Sequence, residues 1–573
     1  MTAQPADQGP DAGAFEAAEA AGALDMLLAD GALGIARRFR PDAAALRFAL
    51  GLAGRPRTVA GRAASLAAEL GRVAAGRSAI APARRDRRFA DRAWTRNPVL
   101  SRAVQAYLAL AGTAGMLLAD AELDWRDGER MRFVLSNLID AAAPSNNPLI
   151  SPVAWKAVID SGGLSMLRGL RALASDLSAP PRVPAMVAPD AFEVGRDLAA
   201  TPGAVVARSE VCELIQYEPV TPAVYQFPLL IVPPMINKFY ITDLAPDRSM
   251  IEYLVSQGHQ VFAISWRNPD ARHRDWDLDT YGAAVADALG AARSICQAPQ
   301  ASIFALCSGG IAAAMVAAHL SDAGRLPELA TLCLGVTVLD QAQAGTAAAM
   351  IDERTAALAI AASRARGYLD GRSLAEVFAW LRPNDLIWNY WVNNYLQGQP
   401  PPPFDILYWN ADTTRLPAAV HRDFISLALA NPLTRPGAAT MLGSPVDLGK
   451  VDIDSYVVAG IADHLCPWQS CYRSAALLGG STRFVLSTSG HIASMVNPPG
   501  NPKSTFQAGS GTDNPADPAD WLQTAQTITG SWWPDYSAWL ADRSGPQQER
   551  PGRLGNAGYP PLQAAPGSYV LDR

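Results

Sequence analysis

Charge is sparse in this 573-residue chain: only 18% of its residues are Asp, Glu, Lys or Arg, and the formal net charge is -6. No basic run is clustered enough to leave an electrostatic footprint for nucleic acid, which sets that class of partner aside. Cysteine is scarcer still, six in all and none in C-x-x-C spacing. That excludes a disulfide framework and a zinc ribbon, and it fits free thiols in a reducing cytoplasm. Residues 1–15 are small, polar and acidic, without the basic start and apolar stretch of a secretory signal. Residues 298–320 lack acidic and basic charge, but Ser308-Gly309-Gly310 interrupts them, so they divide into a strand and a helix and form no transmembrane span. No internal repeat is apparent. What the chain does have is apolar residues, 49% of the total, enough for the large core of a globular enzyme of two or three domains.

The pattern changes along the chain. Residues 1–85 are Ala-rich and low in pattern, an expected mobile arm with some helix, and structure is expected to begin near Asp86. Residues 86–189 form a helical N-terminal domain, with Leu164, Leu167, Leu170, Leu173 and Leu177 at helical spacing and a Pro-rich close at 178–189. From 190 to 573 short apolar strands alternate with helices: 229–232, then 250–257, 260–266, a bend at Cys307, and further strands at 332–339, 456–458 and 483–486. Such alternation implies an α/β fold with a parallel sheet covered on both faces. It lapses at about 341–450, where aromatics cluster (Trp380, Trp388, Trp391, Tyr395, Trp409) and Pro400 to Pro403 break the chain. An insertion at that place is expected to act as a lid, the alternative being more helical core.

Ser302-Ile303-Phe304-Ala305-Leu306-Cys307-Ser308-Gly309-Gly310-Ile311 reads as a buried strand that breaks into a small-residue helix with a thiol at the bend. Cysteine usually packs in cores. A packing cysteine needs no such bend, whereas a strand–nucleophile–helix turn lifts one side chain above the sheet edge with a backbone N–H behind it to receive an oxyanion. The turn therefore points to acyl transfer. On this fold the nucleophile is followed in chain order by an acid and a histidine at successive strand ends. Asp463 follows the strand at 456–458 and His491 follows the strand at 483–486, which fills both slots. His464 and Asp340 are the competing histidine and acid; His464 reads as structural, and Asp340 reads as a helix cap before Ala342. Cys466 and Cys471 beside His464 are too few donors for a metal site.

These residues resemble a known family, the polyhydroxyalkanoate synthases of classes I and II, from about Asp86 to the C-terminus. The likeness is carried by Asp86-Arg87-Arg88-Phe89-Ala90-Asp91, Trp94, Asn97-Pro98 and Ser161-Gly162-Gly163-Leu164. Further on it is carried by Pro233-Pro234-Met235-Ile236-Asn237-Lys238-Phe239-Tyr240, Ser265-Trp266-Arg267-Asn268-Pro269 and Leu381-Arg382-Pro383-Asn384-Asp385-Leu386. It continues in Asp463-His464-Leu465-Cys466-Pro467-Trp468, Gly490-His491-Ile492, Val496-Asn497-Pro498-Pro499, Ser531-Trp532-Trp533-Pro534 and Leu554-Gly555-Asn556. The family's box G-x-C-x-G-G departs here at its first glycine, which is Ala305. One extra methyl costs about 1–3 kcal/mol if the site cannot relax; an intact turn is expected, with activity open to change.

The resemblance implies an α/β-hydrolase fold with a lid insertion after a helical N-terminal domain, and polymerisation of (R)-3-hydroxyacyl-CoA with release of CoA through an acyl-cysteine. It implies Cys307 as nucleophile, His491 as base, Asp463 as acid, and the backbone N–H groups of Ser308 and Ile236 as oxyanion donors. No cofactor or metal is implied, CoA being a leaving group of the substrate. Expected partners are the growing polyester or its granule in the cytoplasm and a second copy of the chain, with Trp388 where the family has dimer contacts. The base for the incoming hydroxyl is His491 or Asp463. Markers of acyl length conflict, Ala493 resembling the short-chain class and residues 499–504 the medium-chain class. Lys238 and Arg267 lie in motif loops and read as solvated charges rather than CoA contacts.

Overall fold

The computed structural model describes residues 42–84, 86–342, 353–463, 465–509 and 514–573. These described residues fall into two compact units, one built from those within 42–191 and 372–411, the other from those within 192–371 and 412–573.

The first unit is helical. Its helices include α1 (Ala43–Ala53), α2 (Pro56–Ala74), α3 (Pro98–Asp120), α4 (Trp125–Ala141) and α5 (Leu164–Ser178). Asn97 caps α3 by accepting from the backbone N–H groups of Val99 and Leu100, and Pro98 needs no partner at the first helical position. Asp124 caps α4 in the same way through Arg126 and Asp127. Residues 1–41 of the expected arm lie outside the described residues, and among the described ones helix is present from Ala43, well before the expected start near Asp86. Alanine-rich composition masked α1 and α2, which ion pairs tie to α3 and α4. Arg62 forks onto Asp120 at 2.7 and 3.0 Å, and Arg47 reaches Asp127 at 2.7 Å. The 86–91 motif is structural: Arg88 binds Asp86 (2.9 Å), Asp140 (3.1 Å) and the Tyr107 hydroxyl (3.2 Å), while Phe89 meets Trp94 edge-on at 5.5 Å. Helix α3 is long and apolar enough to cross a membrane by length and composition, and here it packs against α2 and α4.

Part of the aromatic stretch joins these helices. Trp391 donates its indole N–H to the Asn146 carbonyl at 3.1 Å, Tyr395 its hydroxyl to Asp176 at 2.7 Å, and Asn394 its amide to the Ala185 carbonyl at 2.7 Å. Trp388 packs beside the small core of Val183, Met186, Ala379, Ile387 and Tyr390. Residues 353–371 and 412–450 belong instead to the second unit, and 343–352, within the expected lid, lie outside the described residues.

The second unit holds an eleven-stranded sheet. In chain order its strands are β1 (Gly203–Arg208), β2 (Cys212–Tyr217), β3 (Leu229–Val232), β4 (Val261–Trp266), β5 (Ala301–Leu306), β6 (Leu329–Gly335), β7 (Ser455–Gly460), β8 (Thr482–Ser487), β9 (Thr505–Ala508), β10 (Gln526–Thr529) and β11 (Gln563–Ala564). Their order across the sheet is β10-β9-β8-β7-β6-β5-β3-β4-β2-β1-β11. From β4 to β8 the neighbours are parallel, and antiparallel strands extend both edges. β6 ends at Gly335 rather than at residue 339: Val336 still donates its N–H to the Val458 carbonyl at 2.8 Å but turns to φ +41°, and the chain leaves the strand there. The parallel strands are buried on both faces, as in Val261–Trp266 and Ala301–Leu306, which explains their unbroken apolar runs.

Helices Leu278–Cys296 (α6) and Cys307–Asp322 (α7) cover the sheet beside β5. Nearly every residue of α7 from Ser308 to Leu320 is buried. Its small side chains permit the approach: a Cβ on Gly309 would stand 2.3 Å from the Pro233 carbonyl oxygen, and one on Gly310 2.0 Å from Thr337 Oγ1. Gly290 on α6 has nothing within 4 Å of the equivalent position. Gly309→Ala is therefore expected to destabilise the protein by about 1–3 kcal/mol through forced displacement of backbone. Gly290→Ala is expected to stabilise it by about 0.5–1 kcal/mol, because alanine is the better helix former. Thermal unfolding checks both, and equal shifts for the two variants would contradict this account of the packing.

Candidate active site

Cys307 is the first residue of α7 and takes φ +49°, a left-handed conformation that costs a non-glycine residue on the order of 1–2 kcal/mol. The conformation is imposed by the junction: β5 ends at Leu306, and the glycines at 309 and 310 press α7 against Pro233 and Thr337. The thiol is thereby turned out of the strand and sits at the N-terminus of a helix, where the dipole favours negative charge. Ala305, in place of the family's glycine, is fully buried on β5, and the strand–turn–helix geometry is intact around it.

Asp463 and His491 come from the ends of β7 and β8, which lie side by side in parallel register. His491 opens the short helix His491–Met495, and its Nδ1 lies 2.7 Å from Asp463 Oδ2. The other carboxylate oxygen accepts from the backbone N–H groups of Leu465 (2.8 Å) and Cys466 (2.9 Å). Both oxygens of a fully buried acid are thus engaged, and Nε2 of the imidazole is left to face sulfur. The His491 helix is pinned from behind by Trp532 and Trp533, whose indole N–H groups donate to the Ser494 and Met495 carbonyls at 2.8 and 3.0 Å.

The structure brings Cys307, His491 and Asp463 together and adds a residue that sequence reasoning had dismissed. The sulfurs of Cys307 and Cys466 and a ring nitrogen of His491 lie within 4.8 Å of one another. Hydrogen bonds link the Cys307 sulfur to Cys466 and to His491. The turn that closes on Asp463 is what returns Cys466 to the site. A rule linking Asp-x-x-Cys to such a turn would have found it.

Electrostatics follow from these contacts. The Cys307 thiol is lowered to about 5, first by a hydrogen bond from Cys466, against the opposing effect of burial, then by the His491 imidazolium and the Ser308 backbone N–H. Burial alone would lower His491, but the Asp463 carboxylate and the Cys307 sulfur together outweigh it and raise the imidazole to about 10. Cys466 is pushed well upward by its bond to Cys307 and by burial, so it remains a protonated donor. Both shifts favour a thiolate–imidazolium pair.

The remaining sequence candidates fall as follows. Ser308 is buried behind the sulfur, and its hydroxyl accepts from the Met235 backbone N–H at 3.0 Å, which fixes the loop after β3 one residue before Ile236. Asp340 is away from the imidazole: it accepts from Ala342 N–H, Asn431 and Arg473 at 2.9, 2.8 and 3.3 Å, a turn cap with an ion pair. His464 lies outside the described residues. Lys238 and Arg267 are not solvated charges. Lys238 is buried and bonds the Tyr569 and Asp572 carbonyls at 3.4 and 2.5 Å, and the Arg267 guanidinium stacks on Tyr569 at 4.3 Å. Carbonyl oxygens and an aromatic face replace water around both cations.

Because the shift of Cys307 is downward, its thiolate persists above about pH 5 and is lost as pH falls through that value. Carbamidomethylation of Cys307 by iodoacetamide, followed by peptide mass spectrometry, is expected to show a midpoint near pH 5. In His491→Ala the midpoint moves up toward an ordinary thiol. A wild-type midpoint near about 8.5, the unperturbed value, would exclude the ion pair.

Comparison with known proteins agrees with this geometry. The model of the poly-beta-hydroxybutyrate polymerase (PhaC) N-terminus matches residues 85–254, and that of the alpha/beta hydrolase fold matches residues 228–498. Poly(3-hydroxyalkanoate) polymerase 2 of Ectopseudomonas oleovorans is 48% identical over 512 residues, covering 89% of this chain and 90% of that protein. The poly(3-hydroxyalkanoate) polymerase subunit PhaC of Cupriavidus necator is 41% identical over 493 residues, covering 85% and 83%. The poly(3-hydroxyalkanoate) polymerase of Methylorubrum extorquens is 38% identical over 500 residues, covering 86% and 81%. At this level of identity and coverage, the chain belongs to the poly(3-hydroxyalkanoate) polymerase family.

Proposed function

We propose that the chain polymerises (R)-3-hydroxyacyl-CoA into a polyester through a thioester on Cys307. The observation that carries this reading is sulfur, held as a thiolate beside His491, at the bend between β5 and α7 of a chain in this family. The thiolate attacks the acyl-CoA carbonyl, the carbon–sulfur bond to CoA breaks, and CoA leaves with the proton carried by His491. The 3-hydroxyl of a second unit then attacks the enzyme thioester and forms an oxygen ester. That step runs downhill from sulfur, whereas a serine ester would be nearly isoenergetic with the polymer. Sulfur at this position therefore favours synthesis.

His491 is the base for the incoming hydroxyl. Asp463 has both oxygens occupied by two backbone N–H groups and the imidazole, which supports an orienting part for it. Oxyanion stabilisation is assigned to the N–H groups of Ser308 and Ile236, adjoining the sulfur and the loop after β3.

Cys307→Ala is expected to abolish CoA release from (R)-3-hydroxybutyryl-CoA, and from longer homologues, while circular dichroism stays that of the wild type. Undiminished turnover would overturn the reading. Asp463→Asn is expected to slow CoA release by about two to four orders of magnitude, because the amide orients the wrong imidazole tautomer. Product analysis separates polymerisation from hydrolysis by the same residues: insoluble polyester is expected, and free 3-hydroxy acid as the sole product would make the chain a thioesterase.

A further inference from the structure

Cys466 supports the Cys307 thiolate by a hydrogen bond but takes no covalent step in the mechanism just described, and its sulfur lies within 4.8 Å of Cys307. The two thiols differ in access: Cys307 is partly exposed, whereas Cys466 is only 4% exposed. An oxidant arriving from solvent meets Cys307 first. Cys466 stands in the loop after β7, before the helix Trp468–Ala475, so its thiol is carried by backbone outside any regular element. Cys471, the next thiol along, is fully buried and points its sulfur at the Cys466 carbonyl, 3.6 Å away.

We propose that Cys307 and Cys466 form a reversible disulfide on exposure to a peroxide, with Cys466 as the resolving thiol, and that this bond switches the site off. The inference rests on the reading of Cys307 as the nucleophile. In the first step the Cys307 thiolate attacks one peroxide oxygen, the O–O bond breaks, and a sulfenic acid forms while the departing hydroxide takes the proton of His491 and leaves as water. In the second, Cys466 sulfur attacks the sulfenic sulfur, the S–O bond breaks, and hydroxide leaves as water with the Cys466 proton. Two sulfurs lose two electrons and one hydrogen peroxide becomes two waters. An external dithiol returns both thiols. The chemical advantage is protection: a sulfenic acid with a thiol in contact is captured before further oxidation to the irreversible sulfinic acid.

The test uses the reduced full-length protein and hydrogen peroxide at about a tenfold excess, with CoA release expressed against each variant's own untreated rate. Wild type is expected to lose at least about nine-tenths of its activity and to regain most of it with dithiothreitol. Its intact mass falls by about 2 Da, and tryptic peptide 294–325 becomes joined to 451–473, with fragmentation placing the bond between Cys307 and Cys466. Cys466→Ser is expected to lose activity without recovery, as Cys307 becomes about 32 Da heavier. Cys471→Ser is expected to recover as wild type does. Absence of the linked peptide in oxidised wild type overturns the inference whatever the variants do, and so does equal recovery in Cys466→Ser. Failure of the functional reading is separate: it appears as turnover in Cys307→Ala, while the linked peptide still reports on the disulfide.

Discussion

The whole site depends on how closely α7 can approach the carboxyl end of the sheet. Pro233, at the end of β3, and Thr337, beyond β6, flank the start of the helix, and only residues without a Cβ fit between them. That contact, with β5 ending at Leu306, leaves Cys307 in a left-handed conformation. Strain of this kind persists where surrounding structure over-determines it, and here it is over-determined by burial of nearly all of the helix from Ser308 to Leu320. The family's first glycine is therefore not the tightest point of the bend. Ala305 lies within β5, paired with Val232 and Leu334, where a methyl group fits among strand neighbours.

A charged pair in a buried site is costly unless its hydrogen bonds are complete. Burial works against both partners here, holding the thiol protonated and the imidazole neutral. It is outweighed by a chain of contacts: backbone amides to Asp463, Asp463 to His491, His491 to sulfur, and Cys466 and the Ser308 amide to the same sulfur. The charge is stabilised as a network, so removal of any one member raises the cost of the rest.

Much of this was legible in the sequence because it depends on order along the chain. Alternating strands and helices, a small-residue turn after β5, and an acid and a histidine after the next two parallel strands beyond β6 are all local patterns. What depended on returning contacts was not legible. Cys466 reads in the sequence only as one of too few metal donors beside Cys471 and His464, because the turn closing on Asp463 is a hydrogen-bond pattern, invisible in composition. Lys238 and Arg267 looked solvated because the segment that covers them lies some three hundred residues further on. Residues 372–411 interrupt the sheet unit in sequence and pack with the N-terminal helices through individual aromatic hydrogen bonds, which carry no periodicity. Helices α1 and α2 were understated because their alanine-rich composition reads as low in pattern, although α2 is amphipathic.

The acid and the second thiol are one structural device. Asp463 holds the imidazole with one oxygen and the Cys466 backbone with the other, so a single carboxylate sets both the tautomer of His491 and the position of the sulfur facing Cys307. Substituting the acid therefore cannot be a pure perturbation of the base: it also loosens the turn that aims Cys466. Substituting Cys466 leaves the acid's backbone contacts in place, since they come from main-chain N–H groups. The positional dependence is therefore unequal: Asp463 places both sulfur partners, whereas Cys466 contributes to the acid's shell only through its main chain. It follows that the reactivity of Cys307 is set by a loop after β7 as much as by the bend that presents it.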